Sequence, residues 1–223
     1  DIGAHDGLLT LPFARLPGAR VLAFEPLPAA FARLRAAVVA AFGGIPPHVA
    51  LRAEALGAAP GRLTLSVPVL DGVVQEQWAS MAKDYGDFAS VAVQRHAVEV
   101  IALDSLALDD VAHVKLDAEG FEQEVLEGGR ATLTRCRPVL SLEVEERHRP
   151  GSTRDVPALL DALGYETRFC LHGDFRPLSE FDAVTMQAAS PDPAVFAASD
   201  PYVFTFYAWP RERAAEVLST LAG

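Results

Sequence analysis

The feature that most constrains this chain is a tight glycine turn answered by an acid one helix later. Asp1-Ile2-Gly3-Ala4-His5-Asp6-Gly7 reads as the last residues of a buried strand entering a turn. Gly3 and Gly7 are residues without a Cβ, so the backbone there can approach a ligand closely. Leu8 to Leu16 reads as a short helix whose first amides would favour a negative group. A second apolar run, Val21 to Phe24, then ends in Glu25-Pro26. In nucleotide-binding α/β folds an acid about 20 residues after the glycine turn sits on ribose hydroxyls. Asp1, Gly3, Ala4, Gly7, Glu25 and Pro26 are therefore expected around a nucleoside-bearing cofactor. Glu54 and Ala55, at the end of the next strand, are grouped with them.

The glycine spacing narrows the cofactor. A dinucleotide fingerprint is Gly-x-Gly-x-x-Gly, whereas this chain has Asp-x-Gly-x-x-x-Gly. Fewer glycines suit a cofactor with no pyrophosphate to wrap, and S-adenosylmethionine is one. The plainer alternative is that Gly3 and Gly7 only make a tight strand–helix turn.

Charge excludes other partners. The 223 residues carry 30 acidic and 19 basic side chains, a formal net charge of −11. Phosphate backbones need a basic field, so no nucleic-acid partner is expected. No apolar run approaches the ~18 residues of a membrane span. Cys136 and Cys170 have no metal or redox spacing and are expected as reduced, structural thiols in a cytoplasmic protein.

Strands and helices alternate. Pro28 to Phe42 is an alanine-rich helix with proline at its start and Gly43-Gly44 at its stop. Val49 to Leu56 reads as one strand, Arg62 to Val67 as a strand or hairpin arm, and Ala92 to Leu103 as another strand. Asp71 to Asp87 is irregular. Val111 to Leu116 is a strand leading to helical pieces at 121–127 and 130–136, followed by a strand from Val139 to Glu145. Val156 to Leu163 is a helix, Tyr165 to Leu171 a strand, and a proline-rich loop then runs to Pro201. Tyr202 to Trp209 is the last strand and Arg211 to Leu221 a terminal helix. This order predicts a single α/β domain over 1–223 with a mostly parallel sheet and an antiparallel C-terminal edge. Asp1 sits where a strand should end, so the strand feeding it is expected upstream of these residues.

Ligands of open α/β sheets lie beyond the carboxyl ends of the strands. Besides Asp1, Glu25 and Glu54, the acids there are Asp117, Glu119, Glu143 and Glu145. In His113-Val114-Lys115-Leu116-Asp117-Ala118-Glu119-Gly120, Lys115 and Asp117 point to one face of a strand that should be apolar. Buried charges need mutual neutralisation or a ligand. The group either forms a structural pair with Glu119 capping the next helix, or lines the substrate cavity. The six histidines show no His-x-x-x-His pair, and no metal site is expected. Gly-x-Ser-x-Gly and Gly-x-x-x-x-Gly-Lys-Ser/Thr are absent, which leaves a serine hydrolase and an NTPase unsupported.

Six segments together carry a family resemblance. They are 1–7, Phe24-Glu25-Pro26, Trp78-Ala79-Ser80-Met81, Leu103-Asp104-Ser105-Leu106, Lys115-Leu116-Asp117-Ala118-Glu119-Gly120-Phe121-Glu122 and Leu142-Glu143-Val144. In order and spacing they resemble the FkbM-type methyltransferases over roughly 1–145. The resemblance implies a Rossmann-like class I methyltransferase fold, with S-adenosylmethionine as donor. It also implies a small-molecule acceptor, typically a hydroxyl of a sugar or natural product. His5 stands where family members often have Asn.

The expected reaction is in-line displacement at the cofactor methyl by a hydroxyl oxygen. Asp117 is expected to serve cofactor or base, Glu119 is the other candidate base, and Glu143 follows. Lys115 is expected to steady the acid or the developing oxygen charge. An NAD-dependent oxidoreductase and a non-catalytic nucleoside-binding module are the alternatives.

Overall fold

The computed structural model describes residues 1–83, 85, 91–187 and 202–221. In chain order the elements are α1 (Thr10–Arg15), β1 (Val21–Phe24), α2 (Pro28–Phe42), β2 (Val49–Arg52), β3 (Ala55–Leu56), β4 (Gly61–Leu70), β5 (Val73–Val74) and β6 (Ala92–Ile101). They continue with β7 (His113–Leu116), α3 (Glu122–Glu127), α4 (Arg130–Cys136), β8 (Val139–Glu143), α5 (Ser152–Ala162), β9 (Tyr165–Leu171) and β10 (Asp174–Pro177). The last elements are α6 (Ala183–Met186), β11 (Thr205–Pro210) and α7 (Ala214–Leu221).

The main sheet is assembled around Ile2. This residue bridges Phe24 of β1 on one side and Leu116 of β7 on the other, parallel to both. The bridges join parallel β1–β2 to a five-stranded set in the order β7-β8-β11-β9-β10. Within that set β7 and β8 are parallel, while β11 is antiparallel to both β8 and β9, and β10 is antiparallel to β9. In this sheet the strands from β2 through β1 and β7 to β8 are parallel, and the expected antiparallel C-terminal edge is formed by β11, β9 and β10. The antiparallel part is three strands wide because β9 turns back at Gly173 into β10.

A second sheet, β3-β6-β4-β5, departs from the expectation. The single strand expected over Val49 to Leu56 divides after Arg52. β2 pairs with β1, whereas Ala55–Leu56 pairs with β6. β4 and β6 form a long antiparallel pair from Gly61↔Val100 to Val69↔Ala92. Only part of the irregular 71–87 stretch and of the proline-rich loop is described; 84, 86–90 and 188–201 lie outside the described residues.

Packing explains why these runs fold together. Leu116, Leu140, Leu142, Leu160, Phe169 and Phe206 are buried in one cluster beneath the main sheet. Leu34 and Val38 of α2 pack on β1 and β2 in another. Full burial of such a side chain contributes about 1.5–3 kcal/mol. No helix among the described residues is long and apolar enough to cross a membrane.

Candidate functional site

The glycine loop is held by its own amides. The N–H groups of Gly3 and Ala4 both donate to the carbonyl of Phe24, at 3.0 and 2.9 Å. The N–H of Gly7 donates to Ala4 at 2.8 Å. The N–H of His5 donates to Oε2 of Glu25 at 2.8 Å. Four loop amides are therefore spent on protein acceptors and turned away from any ligand.

The need for Gly3 is internal as well. It adopts φ +72, and an added Cβ would lie 1.9 Å from the carbonyl oxygen of Asp117. Gly7, at φ +91, packs less tightly: a Cβ there would lie 2.9 Å from Cδ1 of Leu34. The helix expected from Leu8 begins only at Thr10, and the N–H of Leu11 is taken by the Gly7 carbonyl. Thr10 instead faces the loop through its hydroxyl, which donates to Oδ2 of Asp1 at 2.5 Å.

Glu25 follows β1 and is almost fully buried. Its Oε1 accepts from the N–H of Leu27 at 2.8 Å, as Oε2 does from His5. Burial pushes its carboxyl up, against these two amides. Each oxygen keeps a further lone pair for a ligand hydroxyl.

One cavity of about 670 Å³ joins this loop to the acids beyond β7 and β8. Asp1, Gly3, Ala4, Glu25, Pro26 and Ala55 line its first end. Lys115, Asp117, Glu119 and Glu143 line its other end. Two expected residues are not brought in. Glu54 pairs with Arg52 outside the lining, in the gap between β2 and β3. Gly7 lies behind the loop against Leu34.

Lys115 organises the junction of the two ends. Its Nζ donates to the carbonyls of Gly3 at 2.6 Å and Ile2 at 3.2 Å. It lies 3.3 Å from Asp117 and 3.6 Å from the fully buried carboxylate of Asp1. Oδ1 of Asp1 has no hydrogen-bond partner among the described residues. The Lys115–Asp117 pair forms and borders the cavity, but Glu119 does not cap the next helix: α3 starts at Glu122 behind Phe121, with no side-chain cap.

Asp117, Glu119 and Glu143 have carboxylate oxygens within 4.8 Å of one another. Nothing else among the described residues marks a cation between them. Burial pushes Glu143 up to about 9, aided by the charges of Asp117, Glu119 and Glu145. Glu119 is raised by burial too, against a hydrogen bond with His148. It is the residue at which β7's exit turns, with φ +52, followed by Gly120 at φ +97.

Three supports of this turn escaped the sequence reading. Glu122 is 2% exposed, and its Oε1 accepts from the N–H groups of Ala118 and Gly120, each at 3.0 Å. Burial pushes its carboxyl up to about 7. Ser80 donates through Oγ to the carbonyl of Glu119 at 2.6 Å, tying the Trp78–Met81 segment to the acids. His148 lies behind Glu119, with Nδ1 2.9 Å from Oε2. Ser80 and Glu122 stood inside quoted segments, but their partners are backbone groups that no residue pattern specifies. Trp78 lines the cavity, while Trp209 is buried in the core.

The family model described as "Methyltransferase FkbM domain" matches residues 1–167. A crystal structure of the methyltransferase FkbM from Methylobacillus flagellatus KT is similar, with TM-score 0.56 and 17% identity. The match covers 94% of this chain and 42% of that chain, so this chain spans less than half of that protein's length. A precorrin-6y C5,15-methyltransferase from Geobacter metallireducens GS-15 aligns at TM-score 0.46 and 16% identity, covering 94% of this chain and 77% of that one. No curated protein matches. With three quarters of its length matched by the family model, the chain belongs to the FkbM methyltransferase family.

Proposed function

We propose that this chain is an S-adenosylmethionine-dependent methyltransferase acting on a hydroxyl of a sugar or natural product. The observation that carries the reading is one cavity bounded by Glu25 at one end and by three acids at the other. Its volume lies within the ~300–1,000 Å³ of small-molecule sites. The sheet, with Ile2 between β1 and β7, supports a Rossmann-like methyltransferase arrangement.

The residues fit S-adenosylmethionine better than a dinucleotide. The amides of Gly3, Ala4, His5 and Gly7 are engaged within the protein, which leaves the loop fewer N–H groups for a pyrophosphate. Glu25 suits two ribose hydroxyls, each of its oxygens already accepting one loop amide. S-adenosylmethionine, when bound, supplies a methyl group on a positively charged sulfur.

The chain's own residues do the rest. Much of the rate comes from holding the acceptor oxygen in line with the methyl group and sulfur. Glu119, a carboxylate made more basic by burial, takes the hydroxyl proton as the oxygen attacks. Glu143 keeps its proton at neutral pH and donates to a second acceptor oxygen. Lys115 holds Asp117 and the loop carbonyls in place rather than touching the acceptor.

The test is transfer of labelled methyl from S-adenosylmethionine to a panel of sugars and polyhydroxylated natural products. Glu119→Gln should lower transfer by a factor of ~10²–10⁴ with cofactor affinity and melting retained. Transfer at the parent rate in both Glu119→Gln and Asp117→Asn would remove these acids as the base.

A further inference from the structure

We propose that His148 is the positioning residue of this site, locking the carboxylate of Glu119 into the cavity by bridging it to Glu145. The inference rests on the assignment of the acid end as the acceptor side. It is carried by geometry that no sequence motif marks.

The His148 ring is buried, with 4% of its side chain exposed. Nδ1 lies 2.9 Å from Oε2 of Glu119, and Nε2 lies 3.4 Å from Oε1 of Glu145. One ring thus spans a cavity acid and an acid behind it. Glu145 is itself fixed. Arg147 donates to both its oxygens at 2.7 Å, and the Tyr202 hydroxyl donates to Oε2. The backbone is fixed too: the N–H of His148 donates to the Glu145 carbonyl at 3.1 Å, and Ser152 Oγ donates to the same carbonyl at 2.9 Å.

Glu119 needs such a clamp. Its backbone is in the left-handed region, and the charges of Asp117 and Glu145 act on its carboxylate with like sign. The ring is the partner that opposes this crowding from behind. The turn is shaped around the same residue, since a Cβ on Gly120 would lie 3.0 Å from the His148 carbonyl oxygen. The groups facing Glu119 are Asp117, Glu143 and Glu145 as acids, and His148, Lys83, Tyr85 and Arg147 from the surrounding segments. Among these described groups, His148 is the one within hydrogen-bond distance of its carboxylate.

The experiment uses the full chain labelled with 13C at the glutamate carboxyls, with Glu119 assigned through Glu119→Gln. Its titration midpoint is compared in the parent, His148→Ala and His148→Asn, alongside acceptor KM and kcat. Loss of one hydrogen bond to a charged group corresponds to about one to two pH units. His148→Ala should raise the Glu119 midpoint by that much and lower kcat at nearly constant KM. His148→Asn, which keeps a donor near Nδ1, should restore much of both. Should His148→Ala fail to fold, the same midpoint is read in His148→Leu, which fills the space without a donor: a raised midpoint supports the clamp, and the parent's midpoint overturns it. A midpoint in folded His148→Ala equal to the parent's overturns the proposal as well. Failure of the parent to bind S-adenosylmethionine would instead overturn the functional reading, and the carboxyl titration would still decide the clamp.

Discussion

Nζ of Lys115 donates to the carbonyl of Gly3 at 2.6 Å across 112 residues of chain. One cation thereby joins the turn at the start of the chain to the strand that delivers the acids. It also balances the buried Asp1 carboxylate and the partly buried Asp117. Removing one partner of a buried ionic group costs about 3–5 kcal/mol. Lys115→Met should lose that much in denaturant unfolding and weaken cofactor binding with it. Unchanged stability would show that the loop holds without the lysine.

Gly3 is required before any ligand enters. A methyl there meets the Asp117 carbonyl at 1.9 Å, and its φ of +72 already disfavours a side chain. Overpacking costs about 1–3 kcal/mol and left-handed backbone about 1–2 kcal/mol. Gly3→Ala should therefore lower the melting temperature of the ligand-free protein. A loss of cofactor affinity with melting unchanged would place the constraint in the ligand instead.

Glu143 sets a pH dependence whose sign follows from its raised carboxyl. The folded group holds its proton to about 9, whereas the unfolded one releases it near 4.5, the ordinary value for a glutamate. Between these values the native state binds more protons, so stability is full below the lower one and is lost as pH rises through the upper. Glu143→Gln removes that loss. The variant should match the parent near pH 4.5 and melt higher at pH 8–9, by roughly 2–4 °C for each ~1 kcal/mol regained. A parent that melts higher than Glu143→Gln at pH 9 would contradict the assignment.

Much of this site was legible because its charges interrupt apolar runs. Val21–Phe24 stood out as a buried strand, and Glu25 at its end lines the cavity as expected. Lys115 and Asp117 were visible for the same reason. The direction of Lys115 was not, since its best partners are backbone carbonyls of a distant turn. The role of the loop amides was hidden likewise: the glycines were read as room for a ligand, and Gly3 makes room for Asp117. The division of the 49–56 run depends on where β6 lies, a long-range pairing that local alternation does not encode. His148 was one of six scattered histidines, and only the turn after β8 brings it behind Glu119.

The most direct measurement is calorimetric titration of the protein with S-adenosylmethionine and with NAD, repeated on Glu25→Ala. S-adenosylmethionine should bind at one site, and NAD should not compete for it. Loss of hydrogen bonds to a charged group, about 1.5–3 kcal/mol, should weaken S-adenosylmethionine for Glu25→Ala by roughly 10- to 150-fold. NAD binding tighter than S-adenosylmethionine, or equal S-adenosylmethionine affinity in the parent and Glu25→Ala, would contradict the account.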